Sequence, residues 1–229
     1  MLATNNKFLG LLYLGPALLF VAVFVLYPLV QLISLSFTSE SLLGGGEYVG
    51  FENYVKAFND KNFWRAFWFT AQYTAYITPI LMIFAFMLAL LASVNRPLIQ
   101  LARGVIFLPV VIGLASSSLL WFWLFDQQVG LFNKLLVDIG ILDKPLVWFR
   151  KADLGQLAVV ISVTWKIVGF GMLLMIAGMQ SISGEIIEAA KIDGATYWQR
   201  VRRIILPLSM RSILLATLAS IIGSMLAFD

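Results

Sequence analysis

Long, mainly apolar runs, each long enough to cross a lipid bilayer, leave this chain no way to hide its apolar residues in a water-soluble core. Residues 8–37, 67–93, 101–125 and 154–179 form four such runs, each exceeding the roughly 20 residues a helix needs to span the hydrocarbon. A fifth starts near Ser212 and is still apolar at Asp229. Only 12% of residues are charged, 61% are hydrophobic and the mean hydropathy is +0.91, whereas about a quarter of residues are charged in soluble domains. The expected fold class is therefore all-α: a polytopic membrane helix bundle of about five spans, forming a single transmembrane domain over residues 1–229.

The segments between the runs are short. A polar head (Thr4, Asn5, Asn6, Lys7) opens into the first run, which is too long for a signal peptide and carries Pro16 and Pro28; it reads as a retained span. Thr38 to Phe63 is a polar loop with Gly44, Gly45 and Gly46. The second span holds Pro79 and leaves through Asn95-Arg96-Pro97. The third, from about Leu101 to Phe125, holds Pro109 and ends in Trp121, Phe122 and Trp123, an aromatic belt of the kind found at membrane interfaces. Leu131, Phe132, Leu135, Leu136 and Ile139 then share one face of a short amphipathic helix, expected to lie on the membrane surface rather than cross it. No cysteine or histidine is present, which removes disulfides, thiolate chemistry, the usual zinc and haem ligands and histidine acid–base work. No cofactor is expected. The net charge of +4 is spread over loop lysines and arginines and gives no support to nucleic-acid binding.

One stretch is neither apolar enough for lipid nor long enough to be a domain: EIIEAAKIDGATYWQRVRRIILP, Glu185 to Pro207. Apolar residues recur at helical spacing before Gly194 (Ile186, Ile187, Ala190) and after it (Trp198, Val201, Ile205), which predicts two short amphipathic helices. Gly194 is the expected bend between them. Ser183 offers an opening for the first helix, and Pro207 closes or kinks the second. Lys191, Arg200, Arg202, Arg203 and Arg211 lie in or just beyond this elbow, which sits between two spans.

Glu188-Ala189-Ala190, Gly194 four places on, and Ile204, Leu206 and Pro207 resemble the EAA loop of the membrane subunits of ABC importers. Asp193 before the glycine is similar to sugar-importer members. The bland alternative is an interfacial hairpin lying on the headgroups. The resemblance implies that the elbow is a coupling helix, cytoplasmic, which docks into a cleft on an ATPase subunit. Leu14 to Phe20, Tyr27-Pro28 with Ser34 to Phe37, Gly50 to Tyr54, Phe63 to Arg65 and Leu173 to Ser183 are similar to the sugar-permease branch, kin of the maltose and glycerol-3-phosphate importers. That branch implies a second permease subunit in a heterodimer, two cytoplasmic ATPase subunits, an extracytoplasmic solute-binding protein and a sugar-like solute. It further implies a multi-pass subunit in the inner membrane of a bacterial or archaeal cell, moving solute by ATP-driven alternating access. Family members usually continue beyond the fifth span to a sixth, so the natural chain is expected to extend past Asp229. Alternate sides of the membrane hold eight and seven lysines and arginines, so charge barely sets the orientation; the resemblance alone puts the elbow in the cytoplasm.

Lys166 lies inside the fourth span, roughly a dozen residues or roughly 16 to 18 Å from either end. A lysine cannot snorkel that far, and intramembrane charges face a cavity or a partner. Ser162, Trp165 and Gly169 lie on the same face, which suggests a passage for a hydroxyl-rich solute with Trp165 as a stacking ring; a structural bond to another helix fits equally well. The nearest acids, such as Asp126 or Asp229, belong to other segments. Tyr73, Tyr76, Ser116 to Ser118 (Ser117 at the centre) and Trp121 are weaker path candidates, since such residues also serve packing. A stand-alone carrier or channel using Lys166 for coupling is the alternative function. A membrane enzyme would show clustered carboxylates, histidines or a nucleophile, which the scattered acids do not offer. No G-x4-GK[ST] phosphate loop occurs, so the chain hydrolyses no ATP itself.

Overall fold

A computed structural model describes residues 7–39, 46–94 and 96–226. Thr4 to Asn6, Gly44, Gly45, Asn95 and Asp229 lie outside the described residues. The chain divides into two compact units, one up to Phe67 and the other from Trp68 onward.

In the first unit, α1 (Lys7–Val21) passes through a π turn (Ala22–Leu26) into α2 (Tyr27–Ser36). The π turn has a local cause. Pro28 has no N–H for the carbonyl four residues back, at Phe24, and its ring would clash with it; widening the turn to i→i+5 bonding, as in Tyr27 N–H to Ala22 O, opens the space. After α2 come β1 (Thr38–Ser39) and β2 (Glu47–Tyr48), paired antiparallel with Thr38 opposite Tyr48, and α3 (Glu52–Asn59). The Gly50 to Tyr54 motif now has a structural reason. Gly50 turns at φ +57, and Asn53 Nδ2 donates to Ser36 O at 3.0 Å and Thr38 O at 2.9 Å. Tyr54 and Ser36 share a hydroxyl bond of 2.7 Å, while Phe37 meets the rings of Phe51 and Tyr54.

The second unit contains most of α4 (Lys61–Ala92), α5 (Pro97–Val111), α6 (Leu114–Leu124), α7 (Leu131–Asp138), a 3-10 turn (Trp148–Arg150) and α8 (Ala152–Gln180). The elbow helices follow: α9 (Gly184–Ile192), α10 (Tyr197–Arg200), a second π turn (Val201–Ile205) and α11 (Leu206–Leu208), before α12 (Met210–Met225). Three described helices are long and apolar enough to cross a membrane, and up to five spans result if each bent pair counts as one. The five expected spans are thus present, but the third is not a straight helix from Leu101 to Phe125. It breaks at Ile112, which is extended, and at Gly113, with φ -55 and ψ 146, and its halves α5 and α6 are bent by 99°. Pro109 weakens the end of α5 and glycine is a poor helix former; hydropathy registers neither change of direction.

Helices α5 and α12 lie along α8, and α4 meets α8 and α12 through buried side chains and hydroxyl pairs. Near the elbow the core is built of Ala85, Ala89 and Ala92 from α4, Met172, Met175 and Ile176 from α8, and Ala216 from α12. Lipid gives helices little hydrophobic drive to associate, so small residues that let backbones approach closely do the work. Gly171 touches Ala85, whose Cβ would lie 3.0 Å from an added Cβ. Gly169 accepts the α5 backbone, with Phe107 Cα 2.8 Å from where its Cβ would stand. At the far end, Tyr73, Ile77 and Val160 form a second cluster, and Ser224 and Ser220 of α12 donate to Thr74 at 2.9 Å and Thr78 at 3.4 Å.

Beyond α6, Phe125, Trp148 and Ala158 form a third cluster with Trp121, Phe132 and Leu136 packed on it. Asn133 locks it: Nδ2 donates to Asp126 O and Leu146 O, and Oδ1 accepts from Leu146 N and Trp148 Nε1. The apolar stripe expected on α7 is therefore divided. Phe132 and Leu136 are packed inward, while Leu131, Leu135 and Ile139 stay exposed, because the loop carrying Trp148 folds back over half of the stripe.

Candidate functional site

The elbow is assembled by local bonds that the sequence partly announces. At the end of α9 the N–H of Gly194 donates to Lys191 O at 3.1 Å and that of Ala195 to Ala190 O at 2.9 Å. This is the Schellman pattern, with glycine in the left-handed region, here at φ +75. Two residues later Thr196 and Gln199 form a capping box: Thr196 N donates to Gln199 Oε1 at 2.7 Å, and Gln199 N to Thr196 Oγ1 at 3.4 Å. The T-x-x-Q spacing was a readable signal for this start that the apolar periodicity obscured. Ser183 occupies the N-cap of α9 but makes no side-chain capping bond. Arg200 also donates to Ala195 O, tying α10 back across the bend.

Pro207 neither closes nor sharply kinks the second helix where it stands. As at Pro28, the turn ahead of it is widened to π, over Val201–Ile205, so the helix passes through the proline and bends at Ser209. There Tyr197–Leu208 meets Met210–Met225 at 67°. Ser209 is buried and bonds its hydroxyl to Ile205 O at 2.5 Å. Gly178 of α8 sits against this corner, so close that a Cβ would lie 2.5 Å from Ser212 Cβ.

The elbow has an inner and an outer face. Ala190 and Val201 are buried, with Ile204, Ile205 and Leu206 half-buried. Glu188, Ala189, Asp193, Gly194 and Pro207 are exposed, and Ile192 is 86% exposed. Trp198, whose spacing places it inward with Val201, is instead 70% exposed; it lines a groove with Gln199, Arg202 and Arg203. A second groove, lined by Asp193, Gly194, Ala195, Gln199, Arg203 and Ile204, follows the inside of the bend. An uncovered apolar and acidic face beside one basic groove and one of mixed charge can accept a protein surface.

The candidates within the spans are not gathered on one open face. The Lys166 ammonium donates to Ile112 O at 2.6 Å and Pro109 O at 3.4 Å, so it meets the backbone at the break of the third span, not an acid. Gly169, one turn on, lies under α5. Ser162 bonds its own helix at Ala158 O, and Ser117 spends its hydroxyl on Gly113 O and Leu114 O. Tyr73 is fully buried in the α4–α8 cluster, whereas Tyr76 is 54% exposed. Trp121 and Trp165 meet edge to face, 5.6 Å between ring centroids, and Trp121 Nε1 is buried without a hydrogen-bond partner among the described residues.

Asp126, just past the end of α6, accepts N–H bonds from Gln128 at 2.8 Å and Val129 at 2.9 Å. The Val129 bond first, then that of Gln128, holds its carboxyl below the usual range. Sequence reading missed Asn133, Gly178, Ser209 and Arg103; Arg103 caps the end of α4 at Ala92 O and Val94 O. Their effects depend on which backbone lies opposite, and spacing within one helix does not carry that.

Residues 54–229 match the family model described as binding-protein-dependent transport system inner membrane component. The lactose transport system permease protein LacF of Rhizobium radiobacter is 34% identical over 224 residues, covering 96% of this chain and 74% of its own length. The sulfoquinovosyl glycerol transport system permease protein SmoG of Agrobacterium fabrum is 31% identical, covering 98% and 73%. Among solved structures, a bacterial ABC transporter involved in import of the acidic polysaccharide alginate shares the fold with a TM-score of 0.81 at 22% identity, over 98% of this chain and 75% of that one.

Proposed function

The chain belongs to the inner membrane components of binding-protein-dependent transport systems, and from that premise we propose that it is a permease subunit of an ABC importer for a sugar or related polar solute. In this reading residues 1–229 supply one permease domain, which pairs with a second permease subunit. Two cytoplasmic ATPase subunits hydrolyse the ATP, and the binding protein delivers solute on the opposite side. The sugar class is supported by relatives named for lactose and sulfoquinovosyl glycerol transport.

The observation that carries the mechanism is the two-faced elbow. Ala190 and Val201 hold it to the spans, while Glu188, Ala189, Ile192 and Asp193 are left uncovered. Such a face supports docking to the ATPase, with Gly194 setting the bend and Ile204, Leu206 and Pro207 joining it to α12. ATP-driven closure then pushes the corner at Ser209 and rocks α8 and α12. For the solute path, the buried indole N–H of Trp121, without a partner among the described residues and beside Trp165, supports a site where a hydroxyl-rich solute bonds and stacks. A stand-alone carrier would need Lys166 free to take up and release its coupling charge, and its bond to Ile112 O speaks against that.

The test is to replace Glu188 with Lys and Gly194 with Val. Solute uptake and co-purification of the ATPase are expected to fall while the subunit still accumulates in the membrane. Unchanged uptake and co-purification in both variants would refute the coupling role.

A further inference from the structure

The break in the third span poses an electrostatic problem. A helix end leaves its last carbonyls without donors, and in the hydrocarbon no water supplies them. The natural donor to Pro109 O would be the N–H of Gly113, which the break at Ile112 and Gly113 carries away. Lys166 Nζ stands in its place, 3.4 Å from Pro109 O and 2.6 Å from Ile112 O. The pairing answers two needs at once. An ammonium left alone in lipid is costly, and the carboxyl-terminal end of a helix attracts positive charge.

A second observation fixes where α5 can go. One turn along α8, Gly169 lets the α5 backbone rest directly on the helix, with Phe107 Cα 2.8 Å from an added Cβ. So α5 lies on Gly169 as a fulcrum, and its free end is held by Lys166. Beyond the break, α6 turns away by 99° and carries Trp121.

We propose that Lys166 is a positioning residue of the transport cycle: as the tethered cation that caps α5, it sets the angle of the broken third span and thereby the placement of α6. It touches no solute in this role. The transport arm of this inference rests on the importer reading above, whereas the structural arm does not.

The experiment uses the complete transporter with its ATPase and binding protein in proteoliposomes. Residues 1–229 hold no cysteine, so with any cysteines of the partner subunits replaced, a spin-labelled pair, Val105→Cys on α5 and Leu119→Cys on α6, reports the angle of the break. Lys166→Met is expected to broaden or shift the label distance distribution, and to lower maximal uptake by about tenfold or more, the scale of a lost charged hydrogen bond. The solute concentration for half-maximal uptake should stay within about twofold, because binding is not touched. Lys166→Arg, which keeps charge and donors, should restore both readouts. If Lys166→Met does not accumulate, Lys166→Gln carries the test, since its amide keeps a donor and loses the charge; the distribution should then lie between those of wild type and a fully broadened one.

An unchanged label distribution in Lys166→Met, or in Lys166→Gln where that variant carries the test, would overturn the proposal. So would a rise in the half-saturating solute concentration at unchanged maximal uptake, which would make Lys166 a solute contact. If wild-type uptake needed neither the ATPase nor the binding protein, the importer reading would fail while the label distances still judged the cap.

Discussion

At the scale of single residues, two positions make opposite demands on the backbone and the side chain. Gly194 has φ +75 but open space around its missing Cβ. A substitution there is penalised by conformation alone, about 1–2 kcal/mol for an L-residue in the left-handed region. Asparagine, which tolerates that region better, should therefore be milder at 194 than alanine, and valine worst, with thermal stability and ATPase co-purification following the same order. Asp126 is a matter of charge. Its carboxyl is held below the usual range by the N–H groups of Val129 and Gln128, so its ordering effect is fully present above the ordinary carboxylate pKa and is lost as pH falls through the depressed value. Amide exchange at Gln128 and Val129 should show protection at neutral pH that fades on strong acidification. In Asp126→Asn that pH dependence should disappear.

At the scale of elements, the elbow is held by end-bonding and the bundle by small residues. Thr196→Ala removes one half of a reciprocal capping box and should cost about 1 kcal/mol locally, read as faster exchange at the Gln199 amide with the spans unaffected. Gly178→Leu acts on the joint. With Ser212 Cβ 2.5 Å from an added Cβ, the side chain must push α12 away from α8, an overpacking cost of about 1–3 kcal/mol. Uptake should fall more steeply than ATPase binding, because the dock survives and its connection to the spans does not. The elements were largely legible in the sequence. Long apolar runs announced the spans, and Gly194 between two amphipathic patterns announced the elbow. The break at Gly113, the two π turns and the inward folding of Phe132 and Leu136 were not legible. Each depends on direction or on a neighbour across space, whereas hydropathy measures only affinity for lipid. Trp198 was misjudged for the same reason: its period is right for the helix, but that helix has no neighbour covering the position. Lys166 stands out in the sequence as a charge inside a span, but its partner is a pair of carbonyls 54 and 57 positions away, and carbonyls leave no mark in a sequence.

At the scale of the whole molecule, membership of the family makes the two ends of α8 face different compartments. The helix has 29 residues, roughly 43 Å at 1.5 Å per residue, and it separates the cluster around Asn133 from the elbow. In the cysteine-free background, Glu188→Cys should react with an impermeant thiol reagent only from the cytoplasmic side, and Lys134→Cys only from the other; the reverse pattern would invert the topology. The contact between α4 and α12 adds a directional property. At its far end it is fastened by hydroxyl pairs, Ser224 to Thr74 and Ser220 to Thr78, each worth about 0.6 kcal/mol in a membrane and replaceable by entering water. At its elbow end it is closed by the methyl groups of Ala85, Ala89, Ala92 and Ala216, with Met172 and Met175 of α8 packed beside them, and wetting each such buried methyl costs about 0.8 kcal/mol with no hydrogen bond gained in return. Water therefore unzips this seam from the end remote from the elbow, like a hook-and-loop strip peeled from its loose corner, and the sealed end keeps the two helices together as it does so.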